Sequence, residues 1–248
     1  MLDIAVKPAF ERLFAAIAGN YERGQARLQS LQAAYDLYMR PILLAAADAQ
    51  DRLWDLNERA KSKKPVLLLS AEDQPRDPWF PMTKRHYLCS STYVIARYFA
   101  WVESFKEQVS FVDSPEGKES TAKLLCAIKK VERCFAETEI QRESQYDVRK
   151  DRQIFQFQQV YIGQKLLNES SRCQSYASFY DNWDTLGVLE DFGALADLLI
   201  RSQIPADPQD YDFCRERLVG VNNALVDLVV LLDREAVYVN QRHRIELR

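Results

Sequence analysis

The chain has 248 residues, 47% hydrophobic and 28% charged, the balance of a globular protein able to bury a core in one large domain or two small ones. Its net charge of −3 argues against a general nucleic-acid binder, which carries a basic excess. Only 7 glycines and 9 prolines over that length imply few connections and long elements, which favours helices.

Residues 2–60 read as one long kinked helix or a helical hairpin, with Lys7-Pro8 in its first turns, where a missing N–H costs little. Phe10, Phe14, Ile17, Tyr21, Gly24, Leu28, Leu31, Tyr35, Tyr38, Ile42, Ala45 and Ala49 keep alternating steps of four and three. Such a seam, about five heptads long, packs either within the fold or against a second copy. Pro41 should end or kink the helix, and the pattern resuming at Ile42 favours a kink or a very tight turn. Residues 61–84 hold four prolines and no helical period, so they read as the longest loop, with Val66 to Leu69 as a short strand or an apolar tuck. The lysines at 61, 63 and 64 read as a solvated helix end.

The stretch His86 to Asp113 is the expected central helix. Ile95, Tyr98, Val102, Phe105, Val109 and Val112 mark one face, and Tyr93, Val94, Phe99 and Trp101 add apolar surface on the others. Without a Gly or Pro between Leu88 and Ser114 it would run on the order of 40 Å. Asp113-Ser114-Pro115-Glu116 then reads as a helix start, followed by Leu124, Leu125, Ile128, Val131 and Phe135 on one face to about Glu139. Thr138 to Arg152 is dense in charge and reads as solvated.

A helix over 153–170 turns Ile154, Phe157, Tyr161 and Leu166 inward. Gly163 in its interior costs about 1 kcal/mol against Ala and calls for a reason, either a neighbouring helix or a ligand. Ser175 caps a short aromatic segment, Tyr176 to Trp183. Val188, Phe192, Leu195 and Leu199 mark a further helix that ends before Pro205. The last helix starts at Asp207-Pro208, uses Leu218, Val221, Leu225, Leu228 and Leu232, and fades into a basic tail at Arg242, His243 and Arg244.

The five cysteines, odd in number and without CxxC spacing, signal neither zinc nor a redox dithiol and read as reduced thiols of a cytoplasmic protein. The N-terminus lacks the features of a signal peptide, and no window approaches the apolar length of a membrane span. Two histidines, His86 and His243, supply no metal triad. Gly117-Lys118-Glu119-Ser120 echoes the end of a P-loop without its upstream glycine and strand. Cys89 with His86 lacks an orienting third group. No catalytic set, cofactor or metal is therefore expected. Polar groups on the central helix and Gln156, Gln158, Gln159 and Gln164 either bond to one another in the core or line a pocket. Arg97 is expected to pair with another helix or an external anion. Tyr93, Arg97, Tyr98, Trp101, Glu103, Gln159 and Gly163 form the candidate ligand or partner site.

Four stretches carry a resemblance. LYMRPILLAAADAQDRLWDL (37–56) resembles the LYGPL segment of an uncharacterised family of bacterial helical proteins, many of them membrane-anchored. STYVIARYFAWVESFKEQVSFVD (91–113) is similar to that family's STxYxxxxYxxWxE core at Ser91, Thr92, Tyr93, Tyr98, Trp101, Glu103, Phe111 and Asp113. Phe155 to Leu166 with Tyr176 to Phe179 and Trp183 looks like its QRAIGE-containing region, although Val160 and Gln164 stand where Arg and Glu are expected. Residues 218–233 resemble its closing helix. The resemblance implies a helical fold and a bacterial source, and no activity.

The expectation is thus an all-α single domain, a bundle of about six to eight helices with long first, central and last members. Its leading function is that of a non-enzymatic interaction or scaffold protein, with a protein partner or a homodimer formed through the 10–49 seam. The alternative is a small-molecule- or nucleotide-responsive protein or enzyme with a polar pocket between the 86–113 and 153–167 helices. Peripheral membrane contact through Phe10, Leu13, Phe14 and Ile17 is opposed by Glu11 and the acidic balance.

Overall fold

The computed structural model describes residues 35–61, 84–108, 115–137, 139–142, 145–148, 153–168, 172–203 and 208–247. Seven α-helices account for most of them: α1 (Arg40–Lys61), α2 (Lys84–Gln108), α3 (Pro115–Ala136), α4 (Gln156–Leu166), α5 (Tyr176–Asp181), α6 (Leu186–Arg201) and α7 (Pro208–Leu232). The all-α reading holds, and Pro115 and Pro208 open their helices at the first helical position, as proline's fixed φ and missing N–H allow. The seam from Phe10 to Leu31 and the Pro-rich stretch 62–83 lie outside the described residues.

The chain passes from a π-helical turn, Tyr35–Met39, directly into α1. Pro41 cannot donate to a carbonyl one turn back, and a wider turn just before it accommodates that loss without ending the helix. Beyond it Ile42, Ala45 and Ala49 are fully buried, so this part of the seam is core of the chain's own fold.

α2 is the post around which the others stand: it touches α1, α4, α5 and α6. A closed cycle of contacts runs α2–α1–α7–α3–α4 and back to α2. Inside it Phe99 meets Phe135 edge-on at 5.1 Å, with Tyr98 beside them at 6.0 Å from Phe99. One contiguous apolar core joins residues from Ile42 to Val239.

Two contacts fix this arrangement. At Gly163 the backbone of α4 comes so close to α2 that a Cβ would sit 2.9 Å from both the carbonyl carbon and the oxygen of Phe99. The interior glycine is therefore the point where two helices meet backbone to backbone. The second contact is Arg217, a fully buried side chain on α7. Its guanidinium donates to the carbonyls of Cys134 (2.8 Å) and Phe135 (2.9 Å) and also to that of Glu137, which satisfies the open C-terminal end of α3 with a cation at the negative pole of its dipole. Burial still pushes Arg217 down to about 10.

Three regions differ from the sequence reading. On α4, Phe157 and Tyr161, expected to turn inward with Ile154 and Leu166, face outward and are exposed. Within the charged stretch after α3, Glu139–Arg142 (β1) and Gln145–Val148 (β2) pair antiparallel, with Glu139 opposite Val148 and Arg142 opposite Gln145. Four-residue strands are too short to show as a period among so many charges. The segment after α7 does not fade out. The buried Asp233 carboxylate accepts the N–H groups of Val237, Tyr238 and Val239 and pairs with Arg244, while Ala236 takes a left-handed φ of 55°. Further on, the Asn223 side chain bonds both the N–H (2.8 Å) and the carbonyl (3.0 Å) of Leu247, which holds the tail back along α7.

Gly163→Ala should destabilise the fold by about 1–3 kcal/mol despite alanine's better helix propensity, because the neighbour that must yield is backbone. Gly193→Ala, where an added Cβ meets nothing within 4 Å, should stabilise by roughly 0.5–1 kcal/mol. Urea midpoints of the two variants, moving in opposite directions, check this. Arg217→Met should cost about 3 kcal/mol, the scale of leaving buried acceptors unmet, and should raise amide exchange first in the last turn of α3.

Candidate functional site

α1 is buried on most of its circumference, by Ile42, Leu43, Ala45, Ala46 and Ala49 among others. Leu37, Pro41 and Leu44, three and four residues apart, form the stripe left over, and Asp48 continues it. On α2, Tyr93, Arg97, Trp101 and Ser104 form a matching stripe. The two stripes line opposite walls of a valley of about 660 Å³, within the range of small-molecule sites. Tyr38 adds an aromatic wall at the α1 end, and Arg172 and Cys173, from the segment after α4, close the third side.

The expected partner of Arg97 is Asp48 on α1, 3.1 Å away. Tyr93 spends its hydroxyl on the carbonyl of Gln174 at 2.8 Å, which anchors the segment carrying Arg172 and Cys173 to α2. The walls are thus mixed: aliphatic and aromatic along the length, with two guanidiniums and, among the described lining residues, no carboxylate.

The sequence-derived site divides. Tyr93, Arg97 and Trp101 line this valley. Tyr98, Glu103, Gln159 and Gly163 are buried elsewhere. Gln159 donates to the carbonyls of Glu132 (2.9 Å) and Ile154 (2.7 Å), tying α4 to the end of α3. The buried Glu103 and Glu132 share the ammonium of the partly exposed Lys106, 2.8 Å from Glu103. Burial pushes the Tyr98 phenol far up, helped by the nearby Glu132 carboxylate, and among the described residues its hydroxyl has no hydrogen-bond partner. Of the other glutamines, Gln158 accepts the N–H of Phe155 at 2.8 Å, and Gln156 and Gln164 are exposed. The valley lies on the side of α2 that faces α1, whereas toward α4 the two helices meet backbone to backbone at Gly163. Leu37, Leu44 and Arg172 were not among the expected site residues. A second apolar stripe on α1, offset from the seam, is the signal that points to the first two.

The remaining chemistry-bearing groups fall into ordinary surroundings. His86 packs edge-on against Tyr176 at 5.8 Å and beside Tyr180 at 5.3 Å. Burial, with Arg52 and Arg85 nearby, lowers its pKa, while burial pushes the Cys89 thiol up to about 11. Both shifts favour neutral forms, the opposite of what a thiolate–imidazolium pair needs. The Gly117 to Ser120 echo lies in the first turns of α3 as plain helix. Among the described residues no three His, Cys, Asp or Glu stand where they would hold a metal, and no helix is long and apolar enough to cross a membrane.

In comparisons with known proteins, the chain matches no protein family, no curated protein and no solved structure.

The thiols offer a direct check of the geometry. Cys126 is exposed, whereas burial holds Cys89 and Cys173 up to about 11. Iodoacetamide at neutral pH should therefore label Cys126 first. Labelling of Cys173 should rise roughly tenfold per pH unit toward its pKa, since only the thiolate reacts. Peptide mass spectrometry across a pH series reads both.

Proposed function

We propose that this chain is a non-enzymatic helical interaction protein that pairs with a second copy through the seam upstream of α1. One observation supports the reading: α7 ends level with the start of α1. α1 and α7 run antiparallel, with Gln50 donating to Asn222 at 3.2 Å and Arg215 donating to Asn57 at 3.0 Å. That register brings Leu232, the last residue of α7, beside Arg40. There the chain turns away at Asp233, and the Arg40 guanidinium lies over the ring of Tyr238 at 5.6 Å. Around this end Leu37, Val237 and Tyr238 stand 56%, 68% and 52% exposed, an apolar rim of the kind interfaces favour. In the proposed dimer, the three–four pattern that the sequence carries back to Phe10 packs against the same stretch of a second copy. A bacterial source and a cytoplasmic location belong to the same proposal; five free thiols suit a reducing compartment.

A second reading, ligand binding, draws on the valley between α1 and α2.

Light scattering on the intact chain should give a dimer, and the chain lacking residues 1–34 should give a monomer with an undiminished helical circular-dichroism signal. Ile17→Glu in the intact chain should produce the same monomer without truncation. An intact chain that is monomeric at micromolar concentration overturns the proposal.

A further inference from the structure

We propose that the valley between α1 and α2 binds an amphipathic anion, with an elongated apolar body along Leu37, Leu44 and Trp101 and a carboxylate or phosphate head at Arg97 and Arg172. The inference rests on the ligand-binding reading of the valley; it shares Leu37 with the rim proposed for self-association and is tested separately.

Shape comes first. The α2 stripe from Tyr93 to Ser104 covers eleven residues of rise, about 16 Å, so the valley is long in one direction. Its long walls are Leu37, Pro41 and Leu44 on one side and the face of Trp101 on the other. Leu37 and Leu44 remain 56% and 38% exposed there. A slender apolar body removes this surface from water without displacing any packed side chain.

Charge comes second. Asp48 occupies one guanidinium nitrogen of Arg97, and a guanidinium carries five N–H donors in a fixed fork, so donors remain for an incoming anion. Arg172 stands on the third wall next to Cys173, with no acidic partner among the described residues. Two guanidiniums against one carboxylate, itself half exposed, leave this end of the valley positive. Arg97 also lies close enough to Cys173 to favour its thiolate, which places the cation, the thiol and Arg172 at one end. A neutral or cationic amphiphile would fill the same walls and leave that end unmatched.

Cys173 is a built-in reporter, half-buried at the cationic end. The full chain would be alkylated with N-ethylmaleimide at fixed, mildly alkaline pH and analysed by peptide mass spectrometry. Dodecanoate, dodecyl phosphate and dodecyltrimethylammonium would each be added below their micellar concentrations. At least one anion should slow Cys173 saturably while exposed Cys126 keeps its rate; the anion that does so assigns the head group. Arg172→Ala should weaken that protection roughly tenfold or more, the scale of one lost charge-assisted hydrogen bond. The proposal is overturned if neither anion protects, if the cationic amphiphile protects equally, or if Arg172→Ala leaves protection unchanged. It is also overturned if Cys173 is already closed without any probe, as an N-terminal segment or a second copy in the valley would make it, or if Cys126 and buried Cys214 change together with it. The two proposals fail separately: a monomeric chain that still protects Cys173 retains this one.

Discussion

The missing side chain at Gly163 is the constraint on which the rest of the bundle depends. Because α4 lies directly on the Phe99 carbonyl of α2, Gln159 one turn earlier reaches the carbonyls of Glu132 and Ile154 and holds the end of α3. The end of α3 is in turn where Arg217 arrives from α7, and α7 sets the position of α1 through Asn222 and Arg215. Every step after the first is a polar contact with a fixed length, so an error at the Gly163 crossing would be passed around the whole cycle. Apolar packing supplies most of the favourable energy in such a core but tolerates sliding; the polar contacts select one register.

The interior charges follow the same division of labour. Arg217, the Lys106 triad and the Asp233–Arg244 pair are wholly or partly removed from water, and each meets fixed partners on a neighbouring element or turn. Groups of this kind add little net stability compared with apolar replacements, and their removal one at a time is costly. They specify which helix end goes where. The valley differs from these places because its guanidiniums face an open space and its apolar walls do not meet.

Helices were legible in the sequence because each buries one stripe, and a stripe is a local pattern. Ile95, Tyr98, Val102 and Phe105 mark α2 whatever surrounds it, and Ser175 marks the start of α5, where its hydroxyl accepts the N–H of Ser178 at 3.2 Å. The close approach at Gly163 could be anticipated from the penalty a helix suffers there. The valley was only half legible. Its α2 wall lies in the stretch whose polar residues drew notice, whereas its other wall is a secondary stripe on α1 more than 40 positions earlier, and only the crossing of the two helices makes them neighbours. The hairpin and the returning tail were missed for a related reason. β1 and β2 are too short to establish a period, and the clamp at Asp233 depends on backbone N–H groups, which leave no mark in a sequence.

The cap that Arg217 places on α3 also has a temporal side. The carbonyl of Phe135 and the guanidinium that satisfies it are separated by 82 residues. At a synthesis rate of about 5–20 residues per second, roughly 4 to 16 seconds pass between the emergence of one and of the other. Throughout that interval α1 lacks α7, the end of α3 lacks its cation, and the aromatic surface around Phe99 and Phe135 has no final cover. The cycle of helices can close only once the last long helix has been released.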